Sequence, residues 1–167
     1  YKFFHEWKRI DEDEEGKVSI DTTIRGTCAK DKLIDLFENF IVFEDAGGDL
    51  IKILAKNHQY LGVNKVINNA KSLEDLKGKL GVFWHTQGSG KSFSMVFLSE
   101  KIHRKFEGSF TILIVLDRTE LETQIYNTFT SVGAVKEKHL LAKSRDDLRK
   151  LLKENEKKLE SIFQVIL

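Results

Sequence analysis

Two kinds of apolar pattern divide the chain. In AKDKLIDLFENFIVF, residues 29–43, Leu33, Ile34, Phe37, Phe40 and Ile41 fall at helical spacing, so one amphipathic helix is expected to run through the stretch with these residues turned inward. EDAGGD then breaks the chain at Gly47 and Gly48. DLIKILAK reads as a short strand. HQYLGVNKVINNAKS reads as a second helix with Leu61, Val63, Val66, Ile67 and Ala70 inward, and Ser72 to Gly78 as a polar connector or single helical turn.

From Lys79 the pattern changes. LGVFW, TILIVL and IFQVIL are short continuous apolar runs, as in strands buried on both faces. Helical stretches separate them. KSFSMVFLSEKIHRKF carries Phe93, Val96, Phe97 and Ile102 on its apolar side. TELETQIYNTF is expected to open with a capping box from Thr119 to Glu122, and SRDDLRKLLKENEKKLE to be capped by Ser144. Strands alternating with helices over short links predict parallel β-α-β units. The fold class is therefore α/β with a parallel sheet, preceded by a helical segment.

Composition narrows the picture slightly. The 167 residues are 41% hydrophobic and 32% charged, enough for a globular core, and the net charge of +1 makes no electrostatic case for a nucleic-acid partner. Cys28 is the single cysteine, which fits a reducing, intracellular compartment. No apolar run approaches the roughly eighteen residues of a membrane span, and the first residues lack the pattern of a secretory signal. Near the start, Phe3, Phe4 and Trp7 form an aromatic cluster, followed by the acidic run Asp11 to Glu15. That run lacks the alternating ligand spacing of a calcium loop and reads as a solvated turn. A start at Tyr1 and an end on an apolar run suggest an excerpt of a longer protein.

The chemistry concentrates in HTQGSGKS, residues 85–92. A buried strand, a glycine turn, Lys-Ser and then a helix form the context of a phosphate-binding loop. Gly88 and Gly90 would let backbone N–H groups converge on phosphate oxygens, and the following helix N-terminus favours an anion. Lys91 would bridge the β- and γ-phosphates of a nucleotide, and Ser92 would ligate Mg²⁺. The full pattern begins with a glycine, where this chain has His85. Two further stretches could join this site. VLDRTELETQI sets Asp117 and Arg118 after a buried strand, at the edge where α/β sheets bind ligands, or simply at a helix start. In KNHQYLGVNKVI, Gln59 has the amide that can read adenine with two hydrogen bonds, or is a polar residue opening a helix.

Taken together in this order, HQYLGVNK, HTQGSGKS and VLDRTELETQ resemble the motor subunit of type I restriction endonucleases, within the superfamily 2 helicases and DNA translocases. The resemblance covers roughly residues 30–167, and that family tolerates His at position 85. It implies a partial RecA-like phosphate-loop NTPase domain. Residues 1–48 would be a linker following a nuclease domain, and residues 49–167 the start of the first motor domain. It further implies that Gln59, Thr86, Gln87, Gly88, Ser89, Gly90, Lys91 and Ser92 bind ATP, with Lys91 on the transferring phosphate and Ser92 on Mg²⁺. Asp117, Arg118 and Gln124 would touch the tracked DNA strand or couple it to ATP. The implied partners are double-stranded DNA and the methyltransferase and specificity subunits of a restriction complex in a prokaryotic cytoplasm, with no membrane. An Asp-Glu-x-His motif is expected beyond IFQVIL. Another superfamily 2 helicase or remodeller, or a nucleotide-binding module without turnover, fits the same motifs.

Overall fold

The computed structural model describes residues 5–108, 111–135, 141–155 and 162–166. Phe3 and Phe4 of the aromatic cluster lie outside them. Helices and strands are mixed along the chain, which divides into two compact units, Tyr1–Phe43 with Lys52–Lys101, and Glu44–Ile51 with Ile102–Leu167.

The first unit opens with α1 (Ile20–Thr27) and α2 (Lys30–Asn39). Ser19 caps α1, its hydroxyl accepting from the Thr22 amide at 3.0 Å. The single helix expected over residues 29–43 is corrected here. It stops at Asn39, and Ile41–Asp45 forms strand β1. The β-branched and aromatic run FIVF suits a pleated strand better than a further helical turn. The expected inward face is corrected with it: Leu36 and Phe40 are buried, whereas Leu33, Ile34 and Phe37 are exposed. Strand β2 (Leu50–Leu54) pairs with β1. Gly47 and Gly48 turn the chain between them with φ of 79° and 109°, and Asp45 accepts from the Gly48 amide at 2.9 Å.

Helices α3 (Asn57–Ala70) and α4 (Lys91–Lys105) follow, and the first unit's core gathers around Phe40. Its ring lies 4.8 Å from that of Tyr60 and 5.7 Å from that of Phe97, and Trp7 packs on Tyr60 at 5.4 Å. Val63 and Ile67 of α3 and Val96 of α4 complete this core. Gly26 lets the Trp7 indole come close, since a Cβ there would lie 2.2 Å from its Nε1.

The strand expected from LGVFW does not form. Residues 79–86 are irregular, with Val82 90% and Trp84 87% exposed. A strand buried on both faces needs ladder partners on both edges, and this segment is anchored through side chains instead. Asn69 donates to the Leu80 carbonyl at 2.7 Å, and Phe83 packs over Gly62 of α3.

In the second unit, β3 (Thr111–Val115), β4 (Leu141–Ala142) and β5 (Ile162–Ile166) form a three-stranded sheet in the order β3-β5-β4. Both pairings are parallel, with Thr111 opposite Ile162, Val115 opposite Ile166 and Ala142 also opposite Ile166. Helices α5 (Thr119–Ser131) and α6 (Arg145–Asn155) accompany the strands, and Ile125, Phe129, Val135, Ala142 and Leu151 are buried. The expectation of strands buried on both faces is corrected for β3, since Leu113 and Val115 share an exposed face. The capping box is also corrected. Arg118 is the N-cap of α5 without a side-chain cap bond, and Thr119 is already helical, so its hydroxyl no longer stands outside the first turn. Ser144 does cap α6, accepting from the Asp147 amide at 3.1 Å.

Candidate nucleotide site

The glycine turn of residues 86–90 leads directly into α4. Gly88 and Gly90 take φ of 76° and 88°, in the left-handed region that side chains disfavour. Nothing lies within 4 Å of where a Cβ on Gly88 would sit, whereas one on Gly90 would lie 2.8 Å from Gln59 Nε2. His85 is not among the positive-φ residues, so its position does not demand a glycine. The Gly90 carbonyl accepts from the Ser94 amide at 3.1 Å and starts the helix ladder. The mouth of α4, with Lys91 and Ser92 as its first residues, therefore opens onto the turn with N–H groups free of the ladder.

Lys91 folds back over the turn, its ammonium donating to the carbonyls of His85 and Thr86 at 2.9 Å each. The Thr86 carbonyl also accepts from the Ser89 amide at 3.3 Å. Thr86 and Gln87 are exposed, and the Ser89 hydroxyl is a buried polar atom with no hydrogen-bond partner among the described residues. Such an orphaned group beside a glycine turn is suited to a polar ligand.

Helix α3 meets the turn through its first residues. Gln59, only 3% exposed, accepts from the Lys56 amide at 2.8 Å and donates to the Gly90 carbonyl at 2.8 Å. It thus makes the return half of a capping box, satisfying the N-cap amide of α3, and tethers the turn with the same side chain. Sequence reasoning passed over its neighbours. Asn57 accepts from the amides of Lys8 and Arg9 at 3.2 and 3.0 Å and donates to the Arg9 carbonyl at 2.9 Å, holding the upstream segment against α3. His58 reaches the Ser89 carbonyl at 3.0 Å. Its ring lies 4.5 Å from that of His85, which lies 4.6 Å from that of Phe83. Burial lowers the pKa of His58, with the charges of His85 and Lys56 adding to it against the opposing Ser89 carbonyl. Burial and then the charge of Lys91 lower that of His85. Both shifts favour the neutral imidazole.

A pocket of about 700 Å³ opens beside the turn, lined by Arg9, Lys56, His58, Phe83, Trp84 and Ser89 among others. It offers aromatic faces, cations and a turn with anion-seeking N–H groups, which together suit a ligand with a ring and a phosphate chain. The structure brings Gln59 together with residues 85–92. Asp117, Arg118 and Gln124 belong to the second unit, where all three are exposed; Asp117 and Arg118 follow β3, and Gln124 lies on α5.

Comparison with known proteins bears on this geometry. Residues 58–166 match the family model described as SWI2/SNF2 ATPase, so the match begins at the residue that grips the Ser89 carbonyl. The chain belongs to the SWI2/SNF2 ATPase family. This SWI2/SNF2 family chain is 36% identical, over 93% of its length, to a type I restriction enzyme HindI endonuclease subunit of Haemophilus influenzae, of which it spans 16%. It is 35% identical, over 81% of its length, to a putative type I restriction enzyme MjaIXP endonuclease subunit of Methanocaldococcus jannaschii, of which it spans 13%. These relatives bear out the resemblance that the three motifs carry. The chain thus spans about a sixth or less of these relatives. Among the described residues no helix is long and apolar enough to cross a membrane.

Proposed function

We propose that this chain is the nucleotide-binding part of the ATP-dependent subunit that translocates and cleaves DNA in a type I restriction enzyme. Residues 49–167 would begin its first RecA-like motor domain, and residues 1–48 would link that domain to a preceding nuclease domain. The observation that carries this reading is the tether between Gln59 and the Gly90 carbonyl, which joins an adenine-reading candidate to a glycine turn at a helix mouth. The parallel pairing of β3, β5 and β4 supports the RecA-like assignment.

Gly88 to Ser92 would present backbone N–H groups to the phosphates of ATP. Lys91 would leave the His85 and Thr86 carbonyls and place its charge on the β- and γ-phosphates. Those carbonyls lose a donor in the exchange, while the ammonium gains a charged partner, which is the stronger bond. Ser92 would hold Mg²⁺. Among the described residues no group of three or more His, Cys, Asp or Glu could hold a metal alone, so Ser92 would share the ion with phosphate oxygens. Bound there, Mg²⁺ would neutralise charge developing on the phosphate oxygens. Thr86 and Gln87 would line the phosphate chain from their exposed positions. Asp117, Arg118 and Gln124 would contact the tracked strand of duplex DNA or couple it to ATP. The parent subunit would assemble with methyltransferase and specificity subunits in a prokaryotic cytoplasm.

A second reading, another superfamily 2 helicase or remodeller, draws on the family description alone. Two relatives named as restriction subunits, matching over 81% and 93% of the chain, favour the first. The test is DNA-stimulated ATP hydrolysis by the full subunit in its assembled complex. Hydrolysis that rises with duplex DNA and accompanies DNA cleavage supports the proposal; cleavage indifferent to ATP contradicts it.

A further inference from the structure

His58 precedes Gln59 in the first turn of α3, and its Nε2 lies 3.0 Å from the Ser89 carbonyl oxygen. A carbonyl only accepts, so the His58 proton sits on Nε2 and the ring donates. Gln59 donates in the same way to the Gly90 carbonyl at 2.8 Å. Two consecutive side chains therefore fasten two consecutive carbonyls of the glycine turn.

The consequence lies on the other side of each peptide plane. In a trans peptide the C=O and the following N–H point in opposite directions, and the chain has no cis bond among the described residues. Fastening the Ser89 carbonyl to His58 turns the Gly90 N–H the other way. Fastening the Gly90 carbonyl does the same for the Lys91 N–H. The two cases are not equal. The Gly90 carbonyl also receives the Ser94 amide, so α4 holds that peptide without help from Gln59. The Ser89 carbonyl stands outside the helix ladder, and the hydrogen bond on it comes from His58. Gly90 follows it with a φ of 88°, and glycine has no side chain to stop the peptide from turning over. The His58 ring is itself packed against that of His85, 4.5 Å between centroids and tilted by 41°.

We propose that His58 is a positioning residue of the phosphate loop, orienting the Ser89–Gly90 peptide so that the Gly90 N–H is presented to a nucleotide phosphate. This rests on the nucleotide reading above. His58 acts through the backbone, so its effect is blind to the base and depends on the phosphate chain.

The experiment is titration of ATPγS, GTPγS and adenosine into the full subunit, as wild type and as His58→Ala, His58→Gln and Lys91→Ala, with thermal unfolding of each. His58→Ala should weaken both nucleotides about fivefold, the loss of one net hydrogen bond. The ATPγS to GTPγS ratio and adenosine affinity should not move, while the unfolding midpoint falls slightly with the lost hydrogen bond. His58→Gln, which keeps a donor, should recover most of the affinity. Unchanged nucleotide affinity in His58→Ala while Lys91→Ala loses binding overturns the positioning role and leaves the nucleotide reading standing. A large fall in the midpoint with no recovery in His58→Gln also overturns it, as a purely structural effect. Undiminished binding in Lys91→Ala overturns the nucleotide reading itself.

Discussion

The ammonium of Lys91 lies 2.9 Å from the carbonyl oxygen of His85, the residue standing where the phosphate-loop pattern has its first glycine. The histidine serves through its backbone, which any residue supplies. Its ring leaves the turn and packs, tilted, between those of His58 and Phe83. A side chain is tolerated here because the backbone is not in the left-handed region. Gly88 and Gly90 are different, since both take positive φ.

Gln59 uses one acceptor site and one N–H on the protein, at Lys56 and Gly90. A carboxamide has a further lone pair and a further N–H, the two groups that adenine recognition needs. Gln59→Ala in the full motor should erase a preference for ATP over GTP in competition. It should also cost about 1–2 kcal/mol of stability through the lost cap and tether. Equal loss of both nucleotides would reduce Gln59 to a residue that holds the loop and opens α3.

Gly62 provides a steric test of the ring contacts around His85. A Cβ there would lie 1.9 Å from Phe83 Cε2, and Phe83 packs on His85. Gly62→Ala should displace the ring and weaken ATP binding about threefold to tenfold. Combined with Phe83→Ala it should cost less than the sum of the two, with a coupling of at least about 0.5 kcal/mol. Additive losses would show that Phe83 does not transmit to the loop.

Much of this was legible along the chain. Helices α3, α4, α5 and α6 and strands β2, β3 and β5 follow from periodicity, apolar runs and, for α6, the Ser144 cap. The join between α2 and β1 was not, because Phe40 and Ile41 satisfy helical spacing as well as they suit a strand. LGVFW has the composition of a buried strand, yet pairing depends on partners that composition does not place. The glycine turn was legible from local spacing. Gln59 could be singled out by its chemistry, but its contact with Gly90 joins residues far apart in sequence. The roles of His58 and Asn57 are likewise visible only once α3 is set against the turn and the upstream segment.

Lys101 is the clearest group that sequence reasoning missed. It is only 4% exposed, pairs with Asp35, donates to Asn64 Oδ1 at 2.6 Å and sits 4.7 Å from the centroid of the Phe40 ring. Asn64 in turn donates to Asp35 Oδ2 at 3.1 Å. Lys101→Met should destabilise the first unit by about 3 kcal/mol in urea unfolding, because it strands the Asp35 carboxylate. Adding Asp35→Leu should return part of that loss. A cost below about 1 kcal/mol for Lys101→Met alone would contradict the network's role.

The same network sets an acid limit. Burial alone would raise the Asp35 pKa, but hydrogen bonds from Lys101, Asn39 and Asn64, with the Lys101 charge, hold it below 3.8. A carboxylate with a depressed folded pKa contributes stability above its unfolded value, and that stability is lost as pH falls through the folded one. The Asp35 contribution should therefore be intact above about pH 4 and fade below it, and Asp35→Asn should flatten that part of the stability profile. An unchanged slope in Asp35→Asn would show that other carboxylates set it.

On the proposed reading, Lys91 and the turn before it hold the nucleotide that drives movement along DNA. Its most direct test is triplex displacement from duplex DNA by the assembled complex, comparing wild type with Lys91→Ala. Among the described residues the Lys91 ammonium bonds only carbonyls of its own loop, so the variant should fold and assemble normally. The wild type should displace the triplex when ATP is supplied, and the variant should not. Displacement by Lys91→Ala at the wild-type rate would contradict it.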